Sequence, residues 1–318
     1  MSNLKILMPT HNDWPSVLSL LDRIDSLLED VGDRATVLVV DDASTKIERE
    51  TALEPYRNID AVDVLCLTNN LGNQRTIAIG IGYLAHNMSF DFLVVMDSDH
   101  EDDPSYLPEL VRRCRASNEP VFAERSRRSE GLLFTISYRT YQAVYRALVG
   151  QRMSIGNYSV VPAHLVRPIA HLSGLWMQYP STIMRERLPF QKLPTTRGQR
   201  IDGESTMRFS TLVVHGFMGL AVFADIVSAR LMISFCLFLF AVMAATAAIG
   251  YVHVTGHIDP SWFIGALLIF VTLFIQFSIM AIVLLLVTLI SRLAQPIIPF
   301  RDHNLYVRQI VSLDDFIR

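Results

Sequence analysis

Asp97, Asp99, Glu101, Asp102 and Asp103 put five carboxylates into the stretch VVMDSDHEDDP, Val94 to Pro104, directly after an apolar run. Like charges this close repel, and each carboxylate withdrawn from water is costly unless something positive compensates it. Hard carboxylate oxygens two residues apart are the ligands a divalent cation takes, and such an ion acts as a Lewis acid on phosphate oxygens. Asp, Ser and Pro are also ordinary turn residues, so the stretch alone does not separate a cation site from a solvated loop.

The elements around it do more. Near-continuous apolar runs at 4–8 (LKILM), 36–40 (TVLVV), 62–67 (VDVLCL) and 92–96 (FLVVM) read as strands covered on both faces. Between the first two, Val17, Leu20, Leu21, Ile24, Leu27, Leu28 and Val31 keep helical spacing, with Asp13 at the start, Pro15 in the first turn and Gly32 at the end. Further helices are expected over 46–56 and 73–86, and Asp102, Asp103 and Pro104 read as the start of the next one. The alternation predicts an α/β fold with a doubly wound, mostly parallel, Rossmann-like sheet, whose ligands bind beyond the carboxyl ends of the strands. At those ends stand PTHND (9–13), DDAS (41–44), NNLGN (69–73) and DSDHE (97–101).

Composition narrows the class. Of 318 residues 51% are hydrophobic and 19% charged, and a mean hydropathy of +0.31 is high for a wholly soluble chain of this size. The net charge of −3 and the lack of a basic tract argue against nucleic acid as a partner. Cys66, Cys114 and Cys236 are scattered, with no CxxC pair, which fits a reduced, cytosol-facing catalytic portion. The apolar run near the amino terminus is too short for a signal-peptide core.

Val227–Gly250 carries no charge except Arg230, and Trp262–Ser291 carries none, so each is long enough to cross a bilayer. No Lys or Arg stands in YVHVTGHIDPS between them, whereas Arg208 and Arg230 sit at the front and Arg292, Arg301 and Arg308 follow. The positive-inside rule then places both termini in the cytoplasm, as in a multi-pass protein of a bacterial inner membrane. STLVVHGFMGLAVFA, 210–224, follows a basic stretch and reads as an interfacial helix on the cytoplasmic leaflet. The expected division is a catalytic domain over 1–195, a juxtamembrane segment over 196–225, two transmembrane helices over 226–293 and a cytoplasmic tail over 294–318.

MPTHN, VVDDAS and DSD, in this order and at these spacings, resemble the family 2 glycosyltransferases with the GT-A fold. With the paired spans, RIDGEST at 200–206 resembles more narrowly the polyprenyl-phosphate glycosyltransferases. The resemblance implies an inverting, metal-dependent transferase that moves one sugar from a nucleotide-diphosphate sugar, a UDP-sugar before a GDP-sugar, to polyprenyl phosphate. It implies that Pro9, His11, Asp13, Val40 and Asp42, with Asp97, Ser98 and Asp99, bind the nucleotide sugar. Asp97, Asp99 and Glu101 would hold Mg²⁺ or Mn²⁺, and Arg125, Arg127, Arg200 and Ser205 would meet the acceptor phosphate. Asp97, Asp99, Arg125 and Arg200 are then the residues expected to carry catalysis, with self-association left open.

The chain departs from the family pattern at His11, where Tyr is usual, at Glu101, where Gln is usual, and at Thr206, where Lys is usual. His100 reads as a solvent-exposed loop residue. Between Gly131 and Arg185 there is no Asp or Glu. A hydroxyl acceptor needs a carboxylate base in such a region, whereas a phosphate monoester is already anionic near neutral pH. The gap therefore favours a lipid phosphate over a sugar hydroxyl.

Overall fold

The computed structural model describes residues 3–46, 55–86, 89–125, 132–196, 198, 216–256, 260–293 and 295–317. The helix expected over 46–56 lies almost wholly outside them. The chain divides into two units, one of 1–139, 153–222 and 296–318 and one of 140–152 and 223–295.

The first unit is built on one eight-stranded sheet. Its strands are β1 (Asn3–Thr10), β2 (Arg34–Asp41), β3 (Ile59–Leu67), β4 (Phe92–Val95), β5 (Val121–Arg125), β6 (Ser159–Pro162), β7 (Gln191–Thr195) and β8 (Val307–Ser312). The order is β7-β5-β6-β4-β1-β2-β3-β8. β1 pairs in parallel with β2 and β4, β2 with β3, and β5 with β7, while β6 and β8 run antiparallel to their neighbours. The four amino-terminal strands were legible as apolar runs because helices cover both their faces. They are α1 (Trp14–Val31), α2 (Asn73–Leu84), α3 (Leu107–Ser117) and α5 (Ala163–Ala170), with α6 (Tyr179–Arg185) beyond. α4 (Leu132–Val149) passes from the first unit into the second.

Against the expected cytoplasmic tail over 294–318, the structure returns that segment to the sheet. A short helix, Pro299–Asp302, packs on α2 at Gly82, where a Cβ would stand 2.3 Å from the Pro299 carbonyl oxygen. Only a residue without a side chain admits backbone that close. The Phe300 ring lies between His86 and His171, each stacked at 4.1 Å. β8 then adds to β3, and the final helix, Leu313–Ile317, buries Leu313 and Ile317 and sets Phe316 4.6 Å from Trp14. Burying two such side chains contributes about 1.5–3 kcal/mol each. An edge strand needs only one covered face, so VRQIVS, with Arg308 and Gln309 inside it, lacks the apolar run that marks the central strands.

The second unit contains α7 (Ala224–Val254) and α8 (Pro260–Leu293), 31 and 34 residues long. At 1.5 Å per residue each exceeds the ~30 Å of a bilayer core. Their most apolar stretches, of mean hydropathy 2.4 and 2.7, are not buried by the chain. Phe277 of α8 meets Phe235 and Phe238 of α7 at 5.1 and 5.2 Å. Arg230, the one charge in the first apolar stretch, donates to the Ala147 carbonyl at 3.1 Å, satisfying one of the unpaired carbonyls at the end of α4. Of the expected interfacial helix, residues 216–221 are helical. Gly219 there is buried, and a Cβ on it would lie 2.6 Å from Gln178 Oε1, so this turn rests on the start of α6.

Candidate active site

Because β1 to β4 run parallel, their carboxyl ends open on one rim and the four polar clusters converge there. Hydrogen bonds tie each cluster to the next. Asp42 is buried, and its charge is met by the backbone N–H groups of Leu71 at 2.7 Å and Gly72 at 2.8 Å. Its own N–H donates to the Thr10 carbonyl at 2.8 Å. Asp41, equally buried, accepts from Trp14 Nε1 at 3.3 Å and from the Ser44 N–H at 3.0 Å. The adjacent carboxylates thus clamp different loops, and each is compensated by neutral donors.

His11 stands exposed on the rim with its ring fixed at both edges. Asn12 Oδ1 accepts from the N–H groups of Thr45 at 2.8 Å and Lys46 at 2.9 Å, which turns the Asn12 amide NH₂ toward His11 Nε2 at 3.0 Å. Asn70 Nδ2 approaches the same nitrogen at 3.0 Å. Facing two donors, Nε2 accepts, and Nδ1–H donates to the Asp42 carbonyl at 2.8 Å. Pro9 is buried and its carbonyl accepts from Ser98 Oγ at 2.9 Å. Asp13 accepts from Ser16 Oγ at 2.6 Å. Val40 is fully buried, with its Cγ2 3.0 Å from where Gly80 of α2 would carry a Cβ, so this side chain packs beneath the rim.

The acidic stretch is organised by its own backbone. Asp102 is buried and accepts from the Asp97 N–H at 2.9 Å. Asp103 caps the next helical turn through the Ser105 N–H at 3.0 Å, and Arg23 pairs with it at 3.2 Å. Asp99 accepts from the Glu101 N–H at 3.1 Å. Asp97 accepts from Asn73 Nδ2 at 3.0 Å and from Asn157 Nδ2, at 3.0 Å to Oδ1 and 3.3 Å to Oδ2. Asp97 and Asp99 remain partly exposed. Among the described residues no three His, Cys, Asp or Glu side chains are gathered as a ligand set, and Glu101 does not make one with Asp97 and Asp99. Two hard carboxylates fit a Mg²⁺- or Mn²⁺-type ion of the kind whose remaining positions are filled by water and substrate phosphate.

His100 corrects the expectation of an exposed loop residue. It is fully buried at φ 62°, and the left-handed turn points the imidazole inward. Arg23 Nη1 donates to its Nδ1 at 3.3 Å, and its Nε2–H donates to the Ser16 carbonyl at 3.0 Å. Burial chiefly, with a smaller contribution from Arg23, holds this imidazole below the ordinary histidine range, and burial does the same to His303. The folded protein therefore binds fewer protons than the unfolded chain between those lowered values and ~6.5. Stability is full above that interval and falls as pH drops through it. Thermal unfolding should shift down by several degrees between about pH 7.5 and 5.5, less so in a His100→Asn, His303→Asn variant. A pH-independent midpoint across that range would contradict the buried neutral imidazoles.

On the far side, Lys192 Nζ donates to Glu124 Oε1 at 3.1 Å and to Ser154 Oγ at 2.6 Å. Arg125 ends β5, where its backbone pairs with Thr195 of β7. The chain then crosses to the acidic loop. Gly198 N–H donates to the Glu101 carbonyl at 3.1 Å, and a Cβ on Gly198 would stand 2.1 Å from the His100 carbonyl oxygen. Arg127, Arg200 and Ser205 lie outside the described residues, as does the Arg125 side chain. Gln74 and Asn157 were not singled out from the sequence, and Asn73 was read only as the last residue of the NNLGN cluster. Asn157 reaches Asp97 only because β6 pairs antiparallel with β4, in the register Val95 to Ser159.

A doubly wound, mostly parallel sheet with paired acidic motifs on its carboxyl rim is the GT-A type of fold. The family model for glycosyl transferase family 2 matches residues 5–164, and the chain belongs to that family. The curated undecaprenyl-phosphate 4-deoxy-4-formamido-L-arabinose transferases of Salmonella paratyphi B and Salmonella newport are 22% identical to it over 217 residues, 66% of this chain and 64% of theirs. The chain thus spans 64% of the length of those relatives. Among solved structures, mannosyl-3-phosphoglycerate synthase from Rubrobacter xylanophilus superposes with a TM-score of 0.46 at 15% identity, covering 70% of this chain and 73% of that one. Glucosyl-3-phosphoglycerate synthase from Mycobacterium tuberculosis, crystallised with Mn²⁺, UDP-glucose and phosphoglyceric acid, gives a TM-score of 0.45 at 17% identity, covering 72% and 79%.

Proposed function

We propose that this chain is a membrane-anchored, metal-dependent, inverting glycosyltransferase that moves one sugar from a nucleotide-diphosphate sugar, UDP before GDP, to polyprenyl phosphate at the cytoplasmic leaflet. Family membership and relatives named for undecaprenyl-phosphate transfer support the reaction class. Two apolar helices with Lys- and Arg-free sequence between them support the anchor, with both termini cytoplasmic.

In this reading the nucleotide lies along Pro9, His11, Asp13 and Asp42, with the fixed His11 ring offering its face to the base. Val40 supports that pocket from beneath. Ser98 holds the first loop against the acidic loop through Pro9. Asp97 and Asp99 hold Mg²⁺ or Mn²⁺, which when bound neutralises the departing diphosphate. Arg125, Arg127, Arg200 and Ser205 receive the acceptor phosphate. The Gly198 contact supports this placement, since it ties the backbone two residues before Arg200 to the acidic loop. An acceptor phosphate oxygen attacks the anomeric carbon opposite the diphosphate. The new carbon–oxygen bond forms as the old one breaks, its electron pair leaves with the diphosphate, and no proton need be removed.

The observation that carries the phosphate acceptor is the fate of Glu124. The sequence leaves 132–184 without a carboxylate, and the nearest one upstream in a described position is paired with Lys192. Glu124→Gln is therefore expected to keep kcat within about tenfold, below the ~10²–10⁴ a general base contributes. A thousandfold loss in kcat with donor binding unchanged would make Glu124 a base and the acceptor a hydroxyl.

A further inference from the structure

Asp97 is held by a directed chain of amides whose polarity is set far from the metal motif. It starts at the Tyr179 backbone N–H, at the head of α6, which can only donate and does so to Gln74 Oε1 at 2.9 Å. Gln74 must then present its NH₂, and Nε2 donates to Asn157 Oδ1 at 3.0 Å. Asn157 in turn must present its own NH₂, which reaches both oxygens of Asp97. Amide orientations are often ambiguous, but here a donor-only group at one end and a carboxylate at the other leave one consistent assignment. Gln74 and Asn157 are 5% and 7% exposed, so water does not readily substitute for either. Ser159 Oγ secures the near end by donating to the Asn157 carbonyl at 3.0 Å, and it also meets the Tyr179 hydroxyl at 2.9 Å.

We infer that Asn157, oriented by Gln74, is a positioning residue that fixes the Asp97 carboxylate for cation binding. The inference rests on the metal-dependent reading given above. A neutral amide suits this position because it supplies two N–H donors without adding a further negative charge beside Asp97 and Asp99. The described hydrogen bonds of Gln74 run to Asn157 and to the Tyr179 N–H, and it acts through Asn157. Replacing it by Glu leaves an acceptor facing Asn157, which then gains by turning its NH₂ toward Glu and its carbonyl toward Asp97. The polarity at the carboxylate reverses without any change in the first ligands.

The test is a double-mutant cycle read as Mn²⁺ affinity. Full-length protein in detergent is titrated with Mn²⁺ in the presence of UDP, with GDP in a parallel series, and free Mn²⁺ is followed by electron paramagnetic resonance. Asn157→Ala and Gln74→Glu should each raise the Mn²⁺ Kd about tenfold or more, as loss of outer partners does at metal sites. Combined, they should cost no more than Asn157→Ala alone, because Gln74 has no route to Asp97 without Asn157. Thermal unfolding reports the fold, and Gln74→Met, neutral and of similar shape, carries the same cycle if Gln74→Glu does not fold. Unchanged Mn²⁺ affinity in the single variants, or a Gln74 effect that persists in full in the Asn157→Ala background, would overturn the positioning role. Absence of Mn²⁺ binding by the wild-type protein with either nucleotide would overturn the metal-dependent reading itself, and the inference with it.

Discussion

Asp99→Ala is expected to lower turnover at saturating metal by about 10²–10³-fold, the range lost when a group that stabilises developing charge is removed. The thermal midpoint should stay within a few degrees of wild type. Asp99 sits in a partly exposed loop beyond β4, outside the hydrophobic core, and its described hydrogen bond is to the Glu101 N–H. Asp99→Asn separates the two roles, since it keeps an acceptor for that N–H and removes the charge. It should fold as the wild type does and transfer as poorly as the alanine variant. Either variant retaining more than about a tenth of wild-type turnover would remove Asp99 from the metal site.

Arg200→Ala should reduce kcat/KM for the lipid acceptor by about 10²-fold, because a charge-assisted contact to phosphate contributes roughly 1.5–3 kcal/mol. Donor affinity should change little. Gly198, two residues before the RIDGEST segment in the sequence, donates its N–H to the Glu101 carbonyl of the acidic loop at 3.1 Å. Arg200→Lys should recover the activity in part, since a point charge replaces a bidentate fork. Normal kinetics for both substrates in Arg200→Ala would show that this arginine does not meet phosphate.

The parts of the fold that were legible are those whose burial is complete. β1 to β4 carry near-continuous apolar runs because helices cover both faces, and their parallel order was expected from the alternation of these runs with helical spacing. β8 escaped notice because an edge strand beyond a long apolar helix has no such run, and its place depends on Gly82 admitting the Pro299 carbonyl. The acidic residues of the site announced themselves by charge. The amides that hold them did not, since Asn73, Gln74 and Asn157 are ordinary polar residues until the β4–β6 register brings Asn157 to Asp97. His100 was misread for the opposite reason. A polar neighbourhood suggested solvent, whereas one left-handed residue turned its ring under α1 to the Ser16 carbonyl.

The glycosyl linkage formed on a defined acceptor tests the central claim most directly. Purified full-length protein would be incubated with Mg²⁺ or Mn²⁺, a panel of radiolabelled UDP- and GDP-sugars, and either undecaprenyl phosphate or the corresponding free alcohol. The account predicts label in a lipid released by mild acid, as expected for a glycosyl phosphate, with the phosphate acceptor and not with the alcohol. Label transferred to the alcohol, or to a glycolipid hydroxyl in an acid-stable linkage while undecaprenyl phosphate stays unused, would contradict it.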